Sequence, residues 1–196
     1  MLLRALLLAP PGAGKGTQGE RMSEVYGVPH LATGDALREH VEAGTDIGRE
    51  AAGFMARGEL VPDRLVVNLV LLLLTEPEPK PGFILDGFPR TLGQAKAAYQ
   101  WGKANGSTFH AVVSLAVPED ELVRRLLERG IAEGRLDDTA DTIRTRLRVF
   151  AESTEPLLDF YRERDILAEV DGSGSIDEVA DRIRTKVDKL YAAGPT

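Results

Sequence analysis

The sequence predicts an α/β fold: a parallel sheet covered by helices on both faces. Three observations carry this. Apolar runs of strand length alternate with helical stretches along the chain, and such alternation builds a parallel sheet through crossover helices. The first run, residues 2–9, is broken only by Arg4, as in a strand buried on both faces. Polar clusters then follow three of the strands: a glycine-rich turn after Ala9, Thr33-Gly34-Asp35 after Leu31, and residues 86–90 after Leu85. In open parallel sheets, ligands sit beyond the carboxyl ends of the strands.

The elements follow in order. Residues 2–9 form the first strand and 15–26 a helix stopped by Gly27. Residues 28–31 are a short extended piece. Residues 34–43 and 46–57 read as two short helices, joined at Gly44 and stopped near Gly58. They interrupt the alternation, so 34–61 reads as an inserted unit. Pro62-Asp63 opens a helix to about residue 74, since proline is favoured at a helix start. Three prolines make 75–81 a loop. Residues 82–85 are a second buried strand, 91–105 a helix and 109–117 a strand. Residues 119–129 are a helix after Pro118, and 131–138 a short polar loop. Residues 140–162 read as one long helix, bent near Pro156, with a last strand at 166–170 and a last helix at 176–193.

At 196 residues the chain fits one domain. Hydrophobic content of 43% and charged content of 28% are those of a soluble globular protein. A net charge of −7 argues against a nucleic-acid partner. It does not exclude nucleotides, which need only local positive charge. There is no cysteine, so disulfides and thiolate zinc sites are excluded. The apolar start runs straight into the glycine turn and reads as a buried strand rather than a signal peptide. The run 66–74 is too short to cross a membrane. A cytoplasmic protein is the expectation.

Residues 10–18, Pro-Pro-Gly-Ala-Gly-Lys-Gly-Thr-Gln, lie between strand and helix. That is the setting a phosphate-binding loop requires. Its glycines let backbone N–H groups turn inward, and the helix adds its positive end. Lys15 supplies a mobile charge for the outer phosphates, and Thr17 a hydroxyl near a phosphate-bound magnesium. The loop departs from Gly-x4-Gly-Lys-[Ser/Thr] at two places. Ala9 replaces the first glycine, and Gly16 stands where the hydroxyl belongs. Alanine at 9 should not need positive φ.

Asp86 ends a strand as a magnesium-holding aspartate does; helix capping is the alternative. Six arginines attract attention: Arg38 and Arg90 after strand ends, Arg125 and Arg129 on one helix face, Arg135 in the polar loop and Arg146 on the next helix. Singly, each reads as a solvated surface charge. Grouped, they suit phosphate, which arginine binds bidentately. His30, His40 and His110 form no triad, and only His30 is expected near the site. Phosphoryl transfer to a phosphate acceptor needs no general base, so positioning and positive charge suffice. Two GTPase-like matches, 171–174 and 185–188, are too close together, and the second falls inside a helix; they read as chance.

With these motifs in hand, the chain resembles the adenylate kinase family, in its short-lid form, over essentially its whole length. The matching segments are 11–18, 33–38, 58–63, 82–91 with Gln94, 124–130 and 134–138. The resemblance implies a three-layer P-loop fold with a five-stranded parallel sheet, order 2-3-1-4-5. It implies a core of 1–31, 62–128 and 140–196, an AMP-binding insertion at 32–61 and a short lid at 129–139. Gly12, Ala13, Gly14, Lys15, Gly16, Thr17, Arg125, Arg129 and Gly174 would hold ATP. Thr33, Gly34, Arg38, Glu59, Leu60, Val61, Gly87, Phe88, Pro89, Arg90 and Gln94 would hold AMP. Arg135 and Arg146 would bridge toward the AMP phosphate and the transferring group. Lys15, Arg90, Arg129, Arg135 and Arg146 would be catalytic, and Thr17 and Asp86 would hold Mg2+ through water. The Phe88–Pro89 bond would be cis. The implied reaction is ATP plus AMP giving two ADP, by a monomer that uses Mg2+ and no zinc. The alternative is a UMP/CMP kinase, from which Thr33 and Gln94 point away.

Overall fold

The computed structural model describes residues 2–75, 81–134 and 138–194. Five strands, β1 (Arg4–Leu7), β2 (His30–Ala32), β3 (Phe83–Asp86), β4 (Ala111–Ala116) and β5 (Leu167–Asp171), form one sheet. Their order is β2-β3-β1-β4-β5, and every pairing is parallel. The helices are α1 (Lys15–Tyr26), α2 (Thr33–Glu42), α3 (Asp46–Arg57), α4 (Asp63–Thr75), α5 (Leu92–Ala104), α6 (Glu119–Glu133), α7 (Ala140–Val149), α8 (Leu157–Arg162) and α9 (Ile176–Ala193).

The unbroken apolar strands have a direct cause. Successive strand residues point to opposite faces, and here both faces are covered. Leu6, Leu31, Phe83, Leu85 and Val112 pack with α4, α5 and α8 on one face. Leu7, Ile84, Val113, Ala168 and Val170 pack with α1 and α9 on the other. Arg4, the polar interruption of the first strand, is buried too: its Nε donates to the Thr108 carbonyl at 2.8 Å. Its backbone N–H donates to Nδ1 of the buried His110 at 2.9 Å, so that ring serves packing at the far end of the sheet from the glycine loop.

Register is what builds a site. Asp86 stands opposite Leu7 on one side and Ala32 on the other. The carboxyl ends of β1, β2 and β3 are therefore level, and the three polar clusters that follow them meet above the sheet edge.

Two stretches differ from expectation. The helix after Pro118 does not stop at 129 but continues to Glu133. Gly130 stays within it, and the glycine that ends it is Gly134, at φ 62°. The expected loop at 131–138 is thus helical at its start, and 135–137 lie outside the described residues. The expected long helix 140–162 is divided. After α7 the backbone widens into a π-helical turn, Phe150–Thr154, with Glu155 N–H bonding the Phe150 carbonyl at 2.9 Å. Proline at 156 has no N–H to continue a helical ladder, and α8 begins just beyond it.

Candidate active site

The loop after β1 is shaped by glycine. Gly12 has φ 84°, and a Cβ there would lie 2.8 Å from the Leu122 carbonyl oxygen. Gly14 precedes α1 in a left-handed conformation, at φ 91°. The first bond of α1 in this loop runs from Gln18 N–H to the Gly14 carbonyl at 3.0 Å. The N–H groups before it have no intrahelical acceptor and suit an anion. Ala9 needs no such freedom: among the described residues Asp165 is the non-glycine residue at positive φ.

Lys15 bends back over the loop, its Nζ donating to the carbonyls of Ala9 at 2.9 Å and Pro10 at 3.0 Å. The ammonium lies deep in the cleft, and loss of solvent lowers its pKa to about 8. Asp86 opposes that shift, while Arg90, Arg146 and Arg129 reinforce it. Oδ1 of Asp86 is buried and has no hydrogen-bond partner among the described residues. A buried acceptor left open costs free energy unless something fills it. The capping alternative for Asp86 therefore finds no support, and an oxygen-seeking cation or its water fits that atom.

The charge on Lys15 gives a pH prediction. Its ammonium is present below about pH 8 and lost above. On the expectation that Lys15 meets the outer phosphates of ATP, kcat/KM for ATP, which reports the free enzyme, should fall above pH 8. Bound phosphates favour the charged form, so the corresponding limb of kcat moves to higher pH. Profiles of both parameters from pH 6 to 10 check this; a flat kcat/KM to pH 9.5 would contradict it.

A second cleft opens beside the first. Thr33, buried at the start of α2, donates its hydroxyl to the Asp86 carbonyl at 2.9 Å. Gly87 follows at φ 82°, where a Cβ would stand 2.4 Å from the Thr33 hydroxyl, so only glycine fits. The Phe88–Pro89 bond is cis. Arg90 Nε donates to the Gly87 carbonyl at 2.7 Å, and the Arg90 carbonyl accepts from the Thr154 hydroxyl at 2.9 Å. The Arg90 N–H donates to Gln94 Oε1 at 2.7 Å, while Gln94 Nε2 donates to Asp63 Oδ1 at 2.5 Å. Gly34, Arg38, Glu59, Leu60, Val61 and Gln94 line this cleft. Arg38 pairs with Asp35 and Glu59 with Arg57 at its rim.

The arginines converge from the other side. Arg129 donates to both oxygens of Asp138, at 2.8 and 3.0 Å, and Arg146 reaches the same carboxylate at 2.6 Å. The Asp138 side chain is fully buried. One acid thus orients two guanidinium groups. Arg125 bonds Glu121 one turn away, at 2.7 Å, and lines the loop's cleft. That cleft has a volume of about 590 Å³ and includes Gly12, Gly14, Gly16, Thr17, Asp86, Arg129 and Arg146.

Other expected residues are placed differently or not described. His30 does not line either cleft; its ring lies under α1 against Gly19, where a Cβ would be 2.4 Å from it. Gly174, at φ 100°, sits before α9 and outside the lining of the loop's cleft. Arg135 lies outside the described residues. Thr185 and Asp188, the GTPase-like match, are both within α9, and Asp188 accepts the Tyr26 hydroxyl at 2.8 Å. Asp138 and Asp63 were not singled out from sequence. Each meets its partners only in three dimensions, though Asp63 falls within the matched 58–63 segment and Asp138 within 134–138.

The family model for adenylate kinase matches residues 7–166. The chain belongs to the adenylate kinase family. It is 48% identical over 181 residues to the adenylate kinase of Xylella fastidiosa strain M12, covering 92% of this chain and 97% of that one. It is 40% identical over 215 residues to the adenylate kinase of Archaeoglobus fulgidus, covering 96% and 99%. Against the adenylate kinase of Clavibacter michiganensis the figures are 44% over 183 residues, 93% and 92%. The UMP/CMP alternative finds no support among these relatives. An adenylate kinase passes the terminal phosphoryl group of ATP reversibly to AMP, and two ADP result.

Proposed function

We propose that the two clefts are the donor and acceptor sites of this transfer. One observation carries the reading: Gly87, Arg90 and Arg146 line both, so the clefts share a wall of positive charge. ATP phosphates would sit on the loop of residues 12–17, with Lys15 and Arg129 beside them and Arg125 at the flank. The backbone near Gly174 would meet the adenine of ATP. AMP would lie among Thr33, Gly34, Arg38, residues 59–61, residues 87–90 and Gln94. Residues 32–61 would be the AMP-binding insertion and 129–139 the lid, and by the family resemblance Arg135 and Arg146 would bridge toward the AMP phosphate and the transferring group.

The chemistry is then one of position and charge. The AMP phosphate is already an oxyanion, so it attacks without a general base. Lys15, Arg90, Arg129 and Arg146 neutralise the charge that spreads over the phosphoryl oxygens in flight. Asp138 holds two of these guanidinium groups in place before substrate arrives. Thr17 and Asp86 would hold Mg2+, which when bound neutralises charge on the outer phosphates of ATP; the open Oδ1 of Asp86 supports this. Closure of lid and insertion would exclude water, the competing acceptor. A monomer acting in the cytoplasm is the form this reading assigns.

The test is a panel of acceptors. With MgATP, the purified protein is expected to phosphorylate AMP far faster than CMP, UMP or GMP. Turnover of CMP or UMP without AMP would overturn the roles given to Thr33 and Gln94.

A further inference from the structure

We propose that Asp63 sets the base specificity of the monophosphate site by locking the carboxamide of Gln94 in one orientation. The proposal rests on the reading that Gln94 meets the base of the acceptor nucleotide. Gln94 is buried, 3% exposed, in the first turn of α5 and lines the monophosphate cleft. Both ends of its side chain are engaged. Oε1 accepts from the Arg90 N–H at 2.7 Å, and Nε2 donates to Asp63 Oδ1 at 2.5 Å.

These two partners leave no ambiguity. A backbone N–H can only donate, and a carboxylate can only accept. Turned by half a revolution, the amide would set its oxygen against the carboxylate and its NH2 against an N–H. Each partner therefore specifies the same orientation, and together they forbid the other. What remains for a ligand is one N–H on Nε2 and one lone pair on Oε1, in fixed order.

That order discriminates between purines. Along its Watson–Crick edge adenine presents a donor, the 6-amino group, beside an acceptor, N1. Guanine presents an acceptor, O6, beside a donor, N1–H. The patterns are reversed, so an amide free to turn matches both, whereas a locked amide matches one. The acceptor here is AMP, so the locked orientation is the one that adenine fits. A site built to hydrogen-bond one pattern rejects the reversed one, because its own polar groups are left unpaired. Asp63 touches neither reacting group. It belongs to α4, thirty-one positions from Gln94 in sequence, and acts as a positioning residue.

The experiment measures kcat and KM for AMP and for GMP, with MgATP as donor, in the wild type and in Asp63→Ala, Asp63→Asn and Gln94→Leu. In Asp63→Ala the ratio of kcat/KM for AMP to that for GMP is expected to fall roughly tenfold, the change one charge-assisted hydrogen bond supports. The shift should appear in the two KM values, with kcat for AMP within about twofold. Asp63→Asn can still accept through its oxygen but can also turn, and its ratio should lie between those of alanine and wild type. If Asp63→Ala does not fold, the isosteric Asp63→Asn decides by the same ratio. A merely structural role would lower kcat/KM for both nucleotides alike and leave the ratio unchanged, which overturns the proposal. If Gln94→Leu itself leaves the ratio unchanged, the reading of Gln94 as the base contact is what fails.

Discussion

Replacing Lys15 by alanine is expected to lower kcat by a factor of at least ~10²–10³, the usual effect of removing one group aimed at transition-state charge. The protein should remain folded. Lys15 is held by carbonyls of its own loop, at 2.9 and 3.0 Å, and its depressed pKa of about 8 says that the folded cleft disfavours the ammonium. Removing a group that the fold tolerates for function should leave thermal stability unchanged or slightly raised. Initial rates at saturating ATP and AMP, with a thermal melt of the same preparation, check both halves. Near-normal turnover in a folded Lys15→Ala variant would remove Lys15 from the mechanism.

Arg90→Ala is expected to be comparably severe, about 10²–10³ in kcat, and for a reason that can be separated from folding. The contacts that fix the segment are made by the Arg90 backbone: its N–H to Gln94 and its carbonyl from Thr154. Alanine keeps both. What it loses is the guanidinium that lines both clefts. Arg90→Lys restores charge but not the planar fork or the Nε bond to Gly87, so only partial recovery is expected. Full activity in Arg90→Lys would mean that point charge alone is needed there; full activity in Arg90→Ala would mean that the shared wall is not catalytic.

The parts of this molecule that were legible from sequence are those fixed by local patterns. An apolar run followed by glycines and a helix reads as strand, loop and helix wherever it occurs, and β1 to α1 follows that reading. The parallel sheet is likewise readable from alternation, but its order is not: alternation does not say that β3 lies between β1 and β2. The resemblance supplied that order.

Helix ends were less readable, because glycine acts by conformation. Gly130 lies inside α6 and Gly134 ends it, though both are the same residue type. Many residues that line the two clefts were named from sequence, but not the network that joins them. The Asp138 carboxylate draws in Arg129 and Arg146 from flanking helices, and Asp63 meets Gln94 across two elements. Such pairings depend on where chains cross, and a linear pattern does not hold that information. His30 illustrates the converse: closeness to a strand end suggested the site, but its ring packs under Gly19.

The proposed transfer passes directly between two nucleotides held at once by one chain, with no covalent nucleophile. Initial rates with MgATP and AMP varied together, using ATP labelled in its terminal phosphate, address it most directly. Direct transfer gives intersecting double-reciprocal lines, two ADP formed per ATP consumed, the label in the ADP made from AMP and none on the protein. Parallel lines with label on the protein would contradict it.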